Sequence, residues 1–226
     1  FKFLEILEEE KSPLLIHGEK VAENIDIFDR EKYFIDDELS IIRKKFPLLK
    51  ITLEHVSTSY GVKYVKENEN IAGTITPHHM LLTKKDLFLE DSFNPHHFCM
   101  PVVKTETDLI ELRNAACHNN SKFFLGTDSA PHPIQEKKPD MSSKPGIFSS
   151  PCSIELYAEI FDQENAIDKL EIFCSINGAK HYSFPINDKK IKLEKKEWIM
   201  SELSSYNDIQ VKNFYANKKI NWKVVH

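Results

Sequence analysis

The sequence has 226 residues, of which 41% are hydrophobic and 29% are charged, with a formal net charge of −5 at pH 7. These values are typical of a globular protein with one sizeable core, and they argue against nucleic acid as a partner. No apolar stretch reaches the length of a transmembrane helix, so a membrane partner is not expected either. The four cysteines form no C-x-x-C pair, which predicts free thiols and a cytoplasmic location.

The first part of the chain alternates between predicted helices and strands. In chain order, these are a helix over 1–11, a strand over 14–19, a helix over 24–46, a strand over 50–55, a short helix capped by Ser57 or Thr58, and a strand over 71–76. The strands are apolar on both faces, which is typical of a parallel sheet covered on both sides. Alternation with short junctions therefore predicts an α/β fold with crossover helices.

The second part of the chain adds one more such unit and then changes character. A predicted helix over 106–118 leads to a strand over 123–125, and a loop over 133–150 without apolar periodicity is expected to be mobile and little buried. Two helices are predicted over 151–161 and 166–177, the second ended by Gly178, and peripheral strands are expected in the charged tail.

Three of these strands end in residues that can bind a metal: His17, His55 and Asp128. If the alternation of side chains extends past each strand, Asp128 faces the inside of a barrel, and His55 shares one face of its strand with Ile51 and Leu53. Two imidazoles and a carboxylate are ligands that a catalytic zinc takes while leaving a position for water. Spacing alone leaves a metal site and ordinary structural roles equally supported. For the two His-His pairs at 78–79 and 96–97, each beside a proline, local hydrogen bonding or pocket lining is predicted rather than metal binding.

Seven short motifs run in order along nearly the whole chain: PLLIHGE (13–19), DIFDRE (26–31), TLEHVST (52–58), TITPHH (74–79), CMPVVK (99–104), LGTDSAPH (125–132) and FCSING (173–178). Together they resemble dihydroorotases of the short, monofunctional type. The HGE or TDSAPH motif alone would point only to the wider amidohydrolase superfamily.

The resemblance implies a (β/α)8 TIM barrel of the metal-dependent hydrolase type. Residues 1–226 would form one domain, made of strands 5 to 8 of the barrel (the C-terminal half-barrel) plus C-terminal helices and a tail. The family carries a His-x-His pair on its first strand and a bridging lysine on its fourth, and this sequence has no His-x-His. We therefore expect an upstream portion of about 100 residues or more, since such a barrel needs about 250.

The resemblance also implies roles for individual residues. His17, His55 and Asp128 would be ligands of two zinc ions bridged by a carboxylated lysine that lies upstream, and Asp128 would also be the general acid/base. His132 would bind the substrate's carboxylate.

The backbone at Met100, Pro145 and Gly146 would also contact the substrate. The family usually has Cys or Ala before this glycine, and a proline cannot donate its backbone N–H. An N–H contact there would have to move to Gly146 or be lost.

The implied activity is the interconversion of N-carbamoyl-L-aspartate and L-dihydroorotate in pyrimidine biosynthesis. The implied partners are this small-molecule substrate and a second copy in a homodimer. Two alternatives stay open: another cyclic amidohydrolase, such as a hydantoinase-like enzyme, or a catalytically inactive dihydroorotase-like scaffold subunit. Met100 and His132 favour dihydroorotase activity because they match substrate contacts rather than metal ligands.

Overall fold

The structure is a computed structural model that describes residues 1–89, 92–118 and 120–225. Its strands are β1 (Leu14–His17), β2 (Ile51–Glu54), β3 (Ile71–Ile75), β4 (Phe88–Leu89), β5 (Ser92–Phe93), β6 (Phe123–Leu125), β7 (Lys192–Ile199), β8 (Leu203–Tyr206), β9 (Ile209–Lys212) and β10 (Lys219–Val225). Its α-helices are α1 (Lys2–Glu9), α2 (Arg30–Phe34), α3 (Ser40–Lys45), α4 (Ser59–Glu67), α5 (Lys84–Leu87), α6 (Glu106–Cys117), α7 (Ser153–Gln163) and α8 (Asn177–His181). None of the helices in these described ranges has the length and apolar character that crossing a membrane requires.

A four-stranded parallel sheet in the order β1-β2-β3-β6 forms the centre of the fold. Each neighbouring pair of strands is connected through helical chain, which confirms the predicted α/β pattern with a parallel sheet. Because the strands run in one direction, their carboxyl ends lie at one edge, and the candidate ligands follow those ends. The tail adds the predicted peripheral strands, as the antiparallel pairs β7–β10 and β8–β9.

Two apolar clusters pack the molecule. The larger one lies between the sheet and the helices, and its fully buried members include Ile51, Leu53, Ile75, Phe123 and Phe161. The smaller one joins the segment after β5 to the loop before α7 and to the tail strands; its buried members include Phe98, Val103, Ile147, Leu156 and Ile220. The second cluster therefore anchors the predicted substrate-binding segments to the periphery of the fold.

Several predicted boundaries differ from the structure. The helix predicted from residue 24 begins only at Arg30, since Asp26 accepts a hydrogen bond from the Phe28 N–H at 2.8 Å and holds a turn there. It then continues through the π-helical segment Ile35–Leu39 into α3. At the other end of the chain, Gly178 does not end a helix, because α8 runs through it to His181.

Candidate active site

The two predicted histidine ligands meet at the carboxyl ends of β1 and β2. His17 is the last residue of β1, and its Nδ1 lies 3.0 Å from Nε2 of His55, the first residue after β2. Two nitrogen ligands on one tetrahedral zinc ion, at about 2.0–2.1 Å each, lie about 3.3 Å apart. The two nitrogens share a hydrogen bond here, and it holds them close to the spacing of two ligands on a single zinc ion.

Glu19 fixes the orientation of the His17 ring. Its buried carboxylate lies 2.9 Å from Nε2 of His17, so this nitrogen carries the proton and Nδ1 keeps its lone pair toward His55. The hydrogen bond to Glu19 raises the pKa of His17, whereas burial lowers the pKa of His55 to about 4. A carboxylate behind a metal-binding histidine is a common way to orient the ring and make it a better ligand.

Asp128 lies close enough to His17 for their charges to influence each other, and burial raises the pKa of its carboxyl to about 6. Asp128 does not continue the alternation of side chains along β6, because that strand ends at Leu125. Asp128 and His55 both have positive φ angles, 42° and 41°. Alternation along the strands therefore does not set the direction of either side chain, because a left-handed turn follows each strand.

Two buried polar side chains that the sequence analysis missed support the His55 turn. Glu31 accepts hydrogen bonds from the backbone N–H groups of Ser57 and Thr58, at 2.7 and 3.0 Å, and from both hydroxyl groups. Thr74 on β3 accepts the N–H of His55 at 2.6 Å. Glu31 belongs to a motif that carried the family resemblance, and this was the only sequence signal that could have found it.

Lys104 is buried close to Glu31 and Glu19, whose negative charges act against the lowering of its pKa by burial. Burial in turn raises the pKa of Glu31, an effect that Lys104 opposes. One lysine thus lies near both buried carboxylates. We call His17, His55 and Asp128, together with Glu19, Glu31 and Thr74, the ligand end.

A second group of metal-type donors lies nearby: one donor atom each from His78, His79 and Cys99, all within 4.8 Å of one another. Both ring nitrogens of His79 are already engaged, with the Thr76 hydroxyl at 2.8 Å and the Pro101 carbonyl at 2.9 Å. The Cys99 thiol donates to the same carbonyl, and burial raises its pKa to about 12. The group is therefore satisfied mainly by local hydrogen bonds, as predicted for His79.

His78 differs from that expectation. It is fully buried, stacks beside His79 and Phe214, and neither of its ring nitrogens has a hydrogen-bond partner among the described residues. Burial lowers its pKa to about 3, so the ring is neutral. Of the second pair, His97 places Nδ1 2.9 Å from the Asp86 carbonyl, and His96 lines a small cavity with His132, as predicted.

The predicted substrate contacts lie in two segments, residues 98–101 and 132–147, which we call the substrate loops. His132 donates from Nε2 to the Pro145 carbonyl at 3.0 Å. The Gly146 N–H donates to the Phe98 carbonyl at 2.8 Å, so it is not free to replace the missing N–H of Pro145. Gly146 has φ 150°, and a Cβ there would lie 2.8 Å from Ala130 and His132 atoms, so only glycine fits.

The loop over 133–150 is more buried than predicted. Ser143, Ile147 and Ser149 are buried, and Ile147 forms a parallel bridge with Ser129 right after Asp128. The structure thus ties the loop directly to the segment that carries the candidate acid/base.

Comparison with known proteins shows which proteins this chain resembles. No protein-family model matches the chain. The dihydroorotase of Hahella chejuensis is 44% identical over 224 residues, which cover 99% of this chain and 64% of that protein. Among solved structures, the dihydroorotase of Campylobacter jejuni superposes with a TM-score of 0.89 at 33% identity, over 99% of this chain and 64% of that one.

Over nearly its whole length, the chain is similar to dihydroorotases. A second dihydroorotase structure, from Saccharomyces cerevisiae in complex with 5-fluoroorotic acid, gives a TM-score of 0.90 at 32% identity over 100% of this chain and 66% of that one. The predicted resemblance is confirmed, and so is the TIM-barrel fold class of the metal-dependent hydrolases. The chain spans about 64% of the length of the curated relatives it matches.

Hydantoinases share the fold of this chain, but at lower similarity. The L-hydantoinase of Arthrobacter aurescens has a TM-score of 0.79 at 15% identity, which supports the barrel architecture alone. Dihydroorotases are in general zinc-dependent, and the facing nitrogens of His17 and His55 fit a zinc ion in spacing and in donor type.

Proposed function

We propose that this chain forms part of a zinc-dependent dihydroorotase, which interconverts N-carbamoyl-L-aspartate and L-dihydroorotate. The observation that carries the proposal is the pair of facing nitrogens, His17 Nδ1 and His55 Nε2, 3.0 Å apart beside Asp128. The similarity to dihydroorotases supports the choice of substrate, as does the 5-fluoroorotic acid bound to the yeast relative.

In this proposal, His17 and His55 bind one zinc ion and Asp128 binds a second. Zinc, when bound, activates a water molecule and polarises the ring carbonyl. As the water oxygen bonds to this carbonyl carbon, Asp128 accepts the water's proton. It returns the proton to the ring nitrogen as the carbon–nitrogen bond breaks.

His132 is proposed to bind the substrate's carboxylate and so to orient the ring against the metal ligands. The backbone of Met100 and of Pro145 and Gly146 is proposed to line the same pocket. The Gly146 N–H and the Pro145 carbonyl already have hydrogen-bond partners within the chain. These backbone groups therefore shape the pocket and position His132, and they form no hydrogen bonds to the substrate.

Three side chains supply too few donors for two zinc ions, since a catalytic zinc usually takes three protein ligands. We propose that β1, β2, β3 and β6 are strands 5 to 8 of the barrel. The remaining ligands, a His-x-His pair and the bridging carboxylated lysine, then come from strands 1 to 4. In support, β1 and β6 have each only one partner strand among the described residues.

We further propose that the enzyme is a cytoplasmic homodimer that acts on small molecules and on neither nucleic acid nor membranes. The homodimer rests on the family resemblance. The negative net charge supports the absence of nucleic acid as a partner, and the four free thiols support a reducing compartment.

The test uses the complete enzyme, meaning this chain together with whatever supplies the remaining ligands. Loaded with zinc, it should hydrolyse dihydroorotate at least 100-fold faster than hydantoin, measured as kcat/KM, because its pocket is matched to a carboxylate-bearing ring. Preferential turnover of hydantoin would favour the hydantoinase-like alternative. Bound zinc without turnover of either compound would favour the inactive scaffold subunit.

A further inference from the structure

The two substrate loops converge on one half-buried lysine, Lys137. Its ammonium group donates to the carbonyl oxygens of Gly146 at 2.7 Å, Lys144 at 2.8 Å and Phe98 at 3.4 Å. An ammonium group has three N–H donors, so the three carbonyls use its full capacity. Burial lowers the pKa of Lys137 to about 8, which reflects how far the group is removed from water.

These carbonyls flank the positions that are proposed to contact the substrate. Lys144 and Gly146 are the neighbours of Pro145 on either side, and Phe98 lies two residues before Met100. Pro145 has no N–H with which the backbone could be fixed. The turn is held by its carbonyl groups and by two neighbouring N–H groups, since Lys144 donates to the Glu136 carbonyl at 3.2 Å and Gly146 to the Phe98 carbonyl.

The same turn also fixes His132. The Pro145 carbonyl accepts the hydrogen bond from Nε2 of His132, so the place of this carbonyl determines the orientation of the imidazole. A displacement of the turn would therefore move His132 together with the pocket wall. The two histidines of the ligand end, His17 and His55, are held by contacts to other groups and would stay in place.

We propose that Lys137 is a positioning residue that holds Pro145, His132 and the segment before Met100 in the geometry that binds the substrate's carboxylate. This inference rests on the proposed dihydroorotase function. A mobile turn in this place would cost ordering entropy each time a substrate binds, and Lys137 removes that cost in advance.

The test compares Lys137→Met and Lys137→Arg in the complete zinc-loaded enzyme, with Lys138→Met as the matched control, because Lys138 is exposed. For Lys137→Met we expect KM for dihydroorotate to rise about tenfold or more, with kcat within about threefold and zinc content unchanged. Lys137→Arg, which keeps the charge and several donors, should restore most of the loss, and Lys138→Met should behave as the wild type.

Amide hydrogen exchange of Gly146 gives a readout that does not depend on turnover. In Lys137→Met this amide should exchange at least tenfold faster, while the amide of His55 should keep its protection. An unchanged KM together with an unchanged exchange rate at Gly146 would overturn the proposal, as would an equal loss of kcat and zinc. If the enzyme does not act on dihydroorotate at all, the proposed function fails, and the exchange rate at Gly146 alone decides on Lys137.

Discussion

The ligand end and the substrate loops, which are proposed to meet the same small molecule, are held by different kinds of contact. At the ligand end, buried side chains hold the two histidines: Glu19 holds the His17 ring, and Glu31 and Thr74 hold the turn at His55. In the substrate loops, backbone carbonyls converge on Lys137, and His132 is oriented by one of them.

This difference suits the two tasks. A metal site tolerates little error in ligand position, and rigid strand ends with buried carboxylates behind them provide that accuracy. A substrate pocket must admit and release a molecule, and a turn tied by a few hydrogen bonds can be displaced at lower cost. Substitutions at the ligand end should therefore alter catalysis, zinc or stability, whereas those of His132 and Lys137 in the loops should alter KM.

The largest effect is expected at the ligand end, for Asp128→Asn. The amide keeps the shape of the side chain but cannot accept and return a proton, so kcat should fall roughly 10²- to 10⁴-fold. The thermal unfolding midpoint should stay within a few degrees of the wild type. Asp140→Asn, in an exposed part of the loop, is the control. A loss of only a few fold in kcat, with zinc retained, would remove Asp128 from the acid/base role.

Glu31→Ala should show how far the ligand end depends on a buried carboxylate. It leaves the N–H groups of Ser57 and Thr58 without their acceptor and Lys104 without a neighbouring charge. We expect the free energy of unfolding to drop by about 3–5 kcal/mol in urea denaturation. Glu23→Ala, on an exposed turn, should cost less than about 0.5 kcal/mol. Equal effects from both variants would contradict the support assigned to Glu31.

His132→Ala is the corresponding change in the substrate loops. Loss of a charge-assisted hydrogen bond to a carboxylate should raise KM for dihydroorotate roughly tenfold to a hundredfold. Zinc content, measured by atomic absorption, should not change, because His132 lies beyond the ligands. His118→Ala, at the exposed end of α6, provides the comparison. A zinc content that decreases together with the activity would identify His132 as a metal ligand. This result would contradict the difference between the ligand end and the substrate loops.

The smallest effect should come from Gly126→Ala, which links β6 to the ligand end. A Cβ at this position would lie 2.5 Å from Cβ of Thr74, the residue whose hydroxyl accepts the His55 N–H. We expect a loss of about 1–3 kcal/mol in unfolding free energy, and weaker zinc binding in a competition titration. Gly178→Ala, whose new Cβ meets only the ring of Phe124 at 3.0 Å, should leave zinc affinity unaltered. Full zinc affinity in Gly126→Ala would show that Thr74 does not position His55.

Strand positions and their order along the chain could be read from the sequence, because short apolar runs between helical segments leave few alternatives. The predicted strand over 123–125 is β6 itself, and His17 ends β1 as expected. The directions of the His55 and Asp128 side chains could not be predicted from the sequence. The alternation of side chains along a strand assumes that the strand continues, whereas both residues adopt left-handed backbone conformations.

The residues that support the site, Glu31 and Lys137, could not be predicted from the sequence for a different reason. A glutamate in a predicted helix, such as Glu31, is expected to be exposed to solvent. Only the folded chain shows that its carboxylate is buried against the turn at Ser57. Lys137 lies in a lysine-rich loop that the sequence presents as solvated, although its ammonium group meets three carbonyls. Contacts between residues distant along the chain decide both cases, and a single sequence carries no pattern for them.

Zinc is proposed to bind between His17 and His55 rather than at the neighbouring group of His78, His79 and Cys99. The most direct test is an anomalous difference map, recorded at the zinc absorption edge, from crystals of the complete zinc-loaded enzyme. We predict a peak about 2.0–2.1 Å from Nδ1 of His17 and from Nε2 of His55. A peak among His78, His79 and Cys99, with none at His17, would contradict it.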